Sequence, residues 1–141
     1  MKLLQANWIH PPHVESWLRQ MSIGNTLNVC CGMSYVGNVR VDIDSNTNRT
    51  EPGDLFNLKF KPLSFDTVIC DPPFEYYVSG DNRFRWMQKL GDLTKKRLMI
   101  SVKGNSIYLG KKNWKRTLWY SEDNKMFLRL YWVFDRINNA L

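Results

Sequence analysis

FDTVICDPPF, at residues 65–74, joins an apolar run to an acid, two prolines and an aromatic ring. The run is rich in β-branched residues and too short for a helix, which marks residues 66–70 as a buried strand. It cannot continue past Cys70. Asp71 is a strand-end residue, and Pro72 and Pro73 each fix φ and delete a backbone donor, so the chain leaves the sheet with its carbonyls held in place. A plain polar turn has the same outline, but two consecutive prolines make this one stiff.

Such a terminus suits one kind of chemistry. An exocyclic amine on a nucleobase or amide is a poor nucleophile, because its lone pair is delocalised into the neighbouring π system. The side chain of Asp71 and the carbonyl of Pro72 can each accept one N–H, which favours a pyramidal nitrogen with its lone pair aimed at an electrophile such as an activated methyl group. Hydrogen bonds to a charged group contribute about 1.5–3 kcal/mol each, and they accelerate a reaction to the extent that they tighten in the transition state. Pro73 keeps the carbonyl fixed, and Phe74 offers a flat face on which a base can stack.

Upstream and downstream, the pattern alternates between helix and strand. Pro12 opens a helix over residues 12–21, with Val14, Trp17, Leu18 and Met21 on one face; His10 and His13 read as capping or surface residues. Residues 26–31 (TLNVCC) form a short strand that ends at Gly32. Residues 39–44 (VRVDID) alternate, placing Val39, Val41 and Ile43 on one face and Arg40, Asp42 and Asp44 on the other. Residues 81–96 suit a helix weakened at Gly91, and residues 97–102 a fourth strand. Residues 117–121 and 126–135 flank Glu122-Asp123-Asn124 as a hairpin. The predicted class is α/β, a mostly parallel sheet with antiparallel strands added at one edge. Ligands bind such sheets beyond the carboxyl ends of the strands, at the topological switch. The Gly32 turn, Asp42 and residues 71–74 all fall there.

With 141 residues the chain is read as one domain, with residues 1–24 as an N-terminal helical segment and no room for a separate target-recognition domain. No run of 18 apolar residues occurs, so no membrane span is expected. MKLLQANWIHPPH is interrupted before a signal-peptide core develops, and a cytoplasmic protein is expected. Cys30, Cys31 and Cys70 lack zinc spacing and read as buried thiols, with no metal. The net charge of +7 is one-sided: residues 1–80 carry −2 and residues 81–141 carry +9. Arg83/Arg85, Lys95-Lys96-Arg97 and Lys111-Lys112-Lys115-Arg116, interleaved with Trp86, Trp114, Trp119 and Tyr120, make a candidate polyanion track.

Over about residues 25–135 the chain resembles the class I S-adenosylmethionine-dependent methyltransferases, and among them the amino-methyltransferases with a (D/N/S)PP(Y/F/W) motif, including adenine-N6 DNA methyltransferases. Asn28-Val29-Cys30-Cys31-Gly32 falls at the family's glycine-rich cofactor loop, Asp42 at the acid that binds the cofactor's ribose hydroxyls, and Gly53-Asp54-Leu55 at its adenine-contacting stretch. Asp71, Pro72, Pro73 and Phe74 match the catalytic motif. The resemblance therefore implies a minimal Rossmann-like sheet with S-adenosyl-L-methionine as cofactor. It assigns Asn28, Cys30, Cys31, Gly32, Asp42, Asp54 and Leu55 to cofactor binding and residues 71–74 to catalysis. The implied reaction is methyl transfer to an exocyclic amine of a nucleobase, adenine N6 in DNA first. Guanine N2 or adenine in RNA is the alternative, and a non-catalytic nucleic-acid-binding module on the same scaffold is a third reading.

The chain departs from the family in its loop, which keeps Gly32 alone of three glycines, and in its crossovers. Six residues separate Gly32 from Val39, too few for the usual helix. The sheet face so uncovered is expected to be apolar and to meet a second copy or a partner protein.

Overall fold

The computed structural model describes residues 10–72, 85–102, 109, 112–124 and 127–137. A helix α1 (Pro12–Met21) leads into strands β1 (Thr26–Val29), β2 (Val39–Asp42) and β3 (Glu51–Pro52), a 3-10 turn (Leu55–Asn57) and strand β4 (Phe65–Cys70). Helix α2 (Arg85–Leu93) and strands β5 (Thr94–Val102), β6 (Trp114–Asn124) and β7 (Phe127–Arg136) complete the order. The seven strands form one sheet in the order β3-β2-β1-β4-β5-β7-β6, and β7 runs antiparallel between β5 and β6. The chain builds away from β1 in one direction and from β4 in the other, so the switch point lies between them. Pairing of Val29 with both Val41 and Cys70, and of Cys70 with Ile100, brings the carboxyl ends of β1, β2, β4 and β5 to one rim.

Period-two alternation sorts β4 onto two cores. Val68 and Cys70 join Leu27, Val29, Val41, Leu98, Ile100 and Phe134 under α2 and the 3-10 turn. Ile69 faces the other way, with Met99, Tyr131 and Val133 against Val14 and Leu18 of α1. The face predicted for α1 is the one it buries, with Trp17 and Met21 packed at its margin. Among the described residues no helix is long and apolar enough to cross a membrane.

Several boundaries differ from the sequence-based expectation. Strand β3 was not expected; it is a two-residue edge strand paired with Val41 and Asp42. The helix expected over residues 81–96 ends at Leu93, and Thr94–Lys96 already belong to β5. Thr94 Oγ1 donates back to the Leu90 carbonyl at 2.7 Å, while the Arg136 guanidinium donates to the Gly91 and Thr94 carbonyls and stacks over Trp114. A cation on the last carbonyls caps the helix and favours its negative end. Residues 81–84 lie outside the described residues. The hairpin strands are longer than expected: Glu122-Asp123-Asn124 are within β6, and Asn124 pairs with Phe127.

The uncovered face over β1 and β2 is not apolar. Thr26, Asn28, Arg40 and Asp42 occupy it, and the loop after Gly32 closes over them through hydrogen bonds. Asn28 Nδ2 donates to Val36 O at 3.0 Å, Thr26 accepts from the Asn38 N–H at 2.9 Å, and Arg40 donates to Gly37 O and Asn48 O. Val36 alone is pushed into the α1 core. A short polar loop thus does the sealing that a helix does elsewhere, and the loop itself exposes Met33 and Tyr35. Gly37 makes the close approach: its φ is 111°, and an added Cβ would sit 3.2 Å from Asn28 Cβ and 3.3 Å from Thr26 O. Gly37→Ala is accordingly expected to lower unfolding stability by about 1–3 kcal/mol, read as a lower urea midpoint at unchanged m-value.

Candidate active site

The rim gathers three groups of residues. At the end of β1 the chain turns through Cys30, a non-glycine residue with φ 55°, and Gly32 with φ 53°. The left-handed conformation costs a residue with a Cβ about 1–2 kcal/mol, and here it ends the strand two residues before the expected boundary. Cys31 is buried, and burial pushes its thiol up to about 11, so it stays protonated at neutral pH. Burial, with Cys30 beside it, likewise raises the thiol of Cys70.

At the end of β2, Asp42 fixes that turn. Its Oδ2 accepts the Gly32 N–H at 2.9 Å and its Oδ1 the Asp44 N–H at 2.9 Å. A carboxylate offers about four acceptor positions, so hydroxyl-binding capacity remains on both oxygens. Because the strand stops at Asp42, Ile43 does not follow Val41 into the core as its alternation predicted; it is 66% exposed. Ile43 instead forms one wall of an open groove of about 570 Å³, with Gly53, Asp54, Asn57 and Phe60 around it. Asp54 caps the 3-10 turn by accepting the Phe56 N–H at 3.0 Å.

Besides the buried Cys31, two residues assigned to the cofactor do not present side chains to this rim. Asn28 is 1% exposed and spends its amide on Ser34 and Val36. The Leu55 side chain lies in the core under the 3-10 turn. Both brace the loops that shape the site.

The third group surrounds Asp71. Its N–H reaches the Val29 carbonyl at 3.4 Å, which sets it beside the start of the Cys30–Gly32 turn, and its side chain is 28% exposed. Pro72 is buried behind it. Pro73 and Phe74 lie outside the described residues. His10, expected at the surface or as a cap, is instead buried against this carboxylate. Its Nε2 is 3.2 Å from Asp71 Oδ2 and its Nδ1 is 2.9 Å from Glu15 Oε1, while Arg129 Nη1 stands 3.9 Å from the same Asp71 oxygen. The Tyr131 hydroxyl is 3.4 Å from His10 Nε2.

Charges alternate along this chain of contacts, and each pKa follows. Burial works against a charged His10, but hydrogen bonds to Asp71 and Glu15 outweigh it and raise the imidazole to about 9. Burial likewise opposes ionisation of Asp71 and Glu15, and the His10 contact overcomes it in both, holding the two carboxyls below their usual range. At neutral pH the site therefore holds a carboxylate clamped by an imidazolium. Asp71 so held is a weak base and a good hydrogen-bond acceptor.

The basic residues are distributed differently from what their place in the sequence suggested. Arg97 pairs in register with Asp135, which in turn faces Lys115, so Lys95–Arg97 and Lys115–Arg116 lie at the amino end of β5 and β6. Asp71 is level with the other end, about 15 Å away along the strands. Arg97 is engaged by Asp135 at 2.6 Å and Lys96 stands 3.9 Å from Asp66. At the rim Arg129 reaches Asp71, Arg49 Nη1 donates to the Asp42 carbonyl at 3.2 Å and Lys59 lines the Ile43 groove; Arg83, Lys103 and Lys111 lie outside the described residues.

No protein-family model and no curated protein matches this chain. Solved structures match its fold. A TehB-like SAM-dependent methyltransferase from Corynebacterium glutamicum superposes with a TM-score of 0.63 at 14% identity, covering 95% of this chain and 93% of that one. Magnesium protoporphyrin IX methyltransferase from Synechocystis PCC 6803, with bound SAM, gives 0.61 at 16% identity over 95% of this chain and 80% of that one. An rRNA methylase from Streptococcus thermophilus gives 0.59 at 12% identity over 92% and 99%. At such identities the likeness is one of fold, and the fold is the Rossmann-like sheet of class I SAM-dependent methyltransferases.

Proposed function

We propose that this chain is an S-adenosylmethionine-dependent N-methyltransferase whose acceptor is the exocyclic amine of a nucleobase, with adenine N6 in DNA as the first candidate. The observation that carries the reading is the Asp71 carboxylate, ionised and restrained, at the rim beside the Cys30–Gly32 turn. The residues present fit the cofactor. The groove at Ile43 and Asp54 has the volume of a small-molecule site, an apolar wall for an adenine ring and a carboxylate for its amino group. Asp42 has acceptor capacity for ribose hydroxyls, and Gly32 leaves the backbone open to the methionine part.

When bound, S-adenosylmethionine supplies a sulfonium methyl, an electrophile that needs no activation. The chain's own task is orientation. Asp71 and the Pro72 carbonyl take one N–H each, and the nitrogen lone pair is thereby directed out of conjugation. Asp71, with its lowered pKa, holds the amine as a hydrogen-bond acceptor and does not store the proton released after transfer; that proton leaves to solvent. Proximity and orientation of this kind supply much of the acceleration.

Titration calorimetry tests the cofactor half of the reading. S-adenosylmethionine and its demethylated product are expected to bind the parent, and Asp42→Ala is expected to weaken both by about tenfold or more, since it loses hydrogen bonds to a charged group. No heat of binding at millimolar ligand would reduce the chain to a nucleic-acid-binding module on a methyltransferase scaffold. Transfer from labelled cofactor to DNA, ribosomal RNA and tRNA in parallel tests the acceptor. Label in RNA alone would replace adenine in DNA with a guanine-N2 or adenine acceptor in RNA.

A further inference from the structure

Between α1 and the β6–β7 hairpin lies a second cavity, of about 220 Å³, lined by His13, Val14, Trp17, Trp119, Arg129 and Tyr131 among others. Arg129 lines it and also faces Asp71, and the Tyr131 hydroxyl meets His10, which holds Asp71. The volume is below the roughly 300–1,000 Å³ of drug-sized sites, so it takes one small ring system.

Its walls are aromatic. The Trp17 ring centroid is 5.6 Å from that of Trp119 and 5.2 Å from that of Tyr131, both tilted, so these rings already touch and leave no slot between them. A guest must therefore lie on their outer faces. Trp119 is 44% exposed and Tyr120, beside it on the edge strand, is 71% exposed. One polar group in this wall is unaccounted for: the Trp17 indole N–H is buried and has no hydrogen-bond partner among the described residues. With no accessible surface, that N–H is sealed by the packing of α1 on the hairpin and is out of reach of a guest on the outer faces. The Arg129 guanidinium favours a guest with acceptor edges or an attached anion, and it also stacks well on flat rings.

From these features we infer that the cleft between α1 and the hairpin is a binding site for a single nucleobase of a single-stranded nucleic acid, stacked on Trp119 with Arg129 at its edge. The inference rests on the proposed acceptor class and deepens it. The ring held here is either the acceptor itself or its neighbour in the strand, and Arg129 ties its place to Asp71.

Short single-stranded DNA and RNA oligonucleotides containing 2-aminopurine provide the probe, since the emission of that base is quenched when it stacks on an aromatic side chain. The parent is expected to quench it. Trp119→Ala is expected to weaken oligonucleotide binding about tenfold, on the scale of a lost base–aromatic stack, and to abolish the quenching. Trp17→Phe keeps a ring in the wall and removes only the sealed N–H; it is expected to leave binding and quenching nearly unchanged. Quenching with DNA but not RNA, or the reverse, assigns the strand type. Equal affinity and quenching in the parent and Trp119→Ala would overturn the inference. So would concentration-dependent self-association that Trp119→Ala removes while no base is quenched, because the occupant would then be a second copy. All of these readings are made without S-adenosylmethionine. A parent that quenches the base but never transfers a methyl group would defeat the proposed reaction and leave the nucleobase site standing.

Discussion

Asp71→Ala is expected to lower kcat for methyl transfer by on the order of 10²–10³-fold, the scale of removing one preorganised polar contact to a reacting group, with cofactor and oligonucleotide affinity nearly unchanged. The separation arises because the carboxylate touches the amine only through its N–H bonds, and those tighten when the nitrogen becomes pyramidal. Asp71→Asn sharpens the test. It keeps an acceptor oxygen at the same reach but removes the charge that pairs with His10 and Arg129. If acceptance of the N–H is what matters, the amide recovers a large part of the activity lost in the alanine variant. If the full negative charge matters, the two variants are equally inactive. Single-turnover transfer from labelled donor separates these outcomes from changes in product release. An alanine variant as active as the parent removes Asp71 from the mechanism.

Strands β4 and β5 were legible because β-branched and apolar residues run unbroken between polar ends, and α1 was legible from the spacing of Val14, Trp17, Leu18 and Met21. What sequence reading missed depends on partners far along the chain. Strand β3 has two residues, one of them proline, and exists because the edge beside Val41 and Asp42 was open to it. Helix α2 stops where Arg136, 42 residues later, caps Thr94. Ile43 obeys the alternation of β2 on paper, but the Asp42 carboxylate takes the Asp44 N–H and turns the chain out of the sheet.

The same holds for the site. Asp71 was found because its motif is contiguous, whereas His10 was not, because its partner is 61 residues away. The one local sign was Glu15, which in the first turn of a helix looks like an ordinary favourable charge on the dipole. The basic clusters were visible as composition, but register alone reveals that Lys95–Arg97 and Lys115–Arg116 crowd the far end of the sheet. Local chemistry is written in sequence; which charges meet it is decided by the order of the strands.

His10→Ala is the variant that probes that meeting. A histidine whose folded pKa is raised stabilises the fold fully below its unfolded value and loses that contribution as pH rises through the folded one. For His10 those limits are 6.5 and about 9. The pH-dependent part of the stability gap between parent and His10→Ala should therefore be about 3 kcal/mol near pH 6, shrink through pH 8 and 9, and be nearly lost at pH 10, leaving the pH-independent cost of the lost packing. The groups facing His10 leave that window clear. Asp71 and Glu15, with lowered pKa values, contribute above their unfolded values and lose stability only as pH falls through the folded ones. Burial holds the Tyr131 hydroxyl protonated, and Arg129 remains charged throughout. Urea denaturation of both proteins from pH 5 to pH 10 measures the gap. One that stays constant or widens toward pH 10 would exclude an imidazolium at this position. Methyl transfer supplies the second readout. With His10 absent, Asp71 loses both its restraint and the contact that outweighs its burial, so kcat is expected to fall about 10-fold to 100-fold, the cost of a misplaced reacting group, while donor affinity holds. A loss confined to donor affinity would instead make His10 a support for the cofactor loop, with no part in positioning the carboxylate.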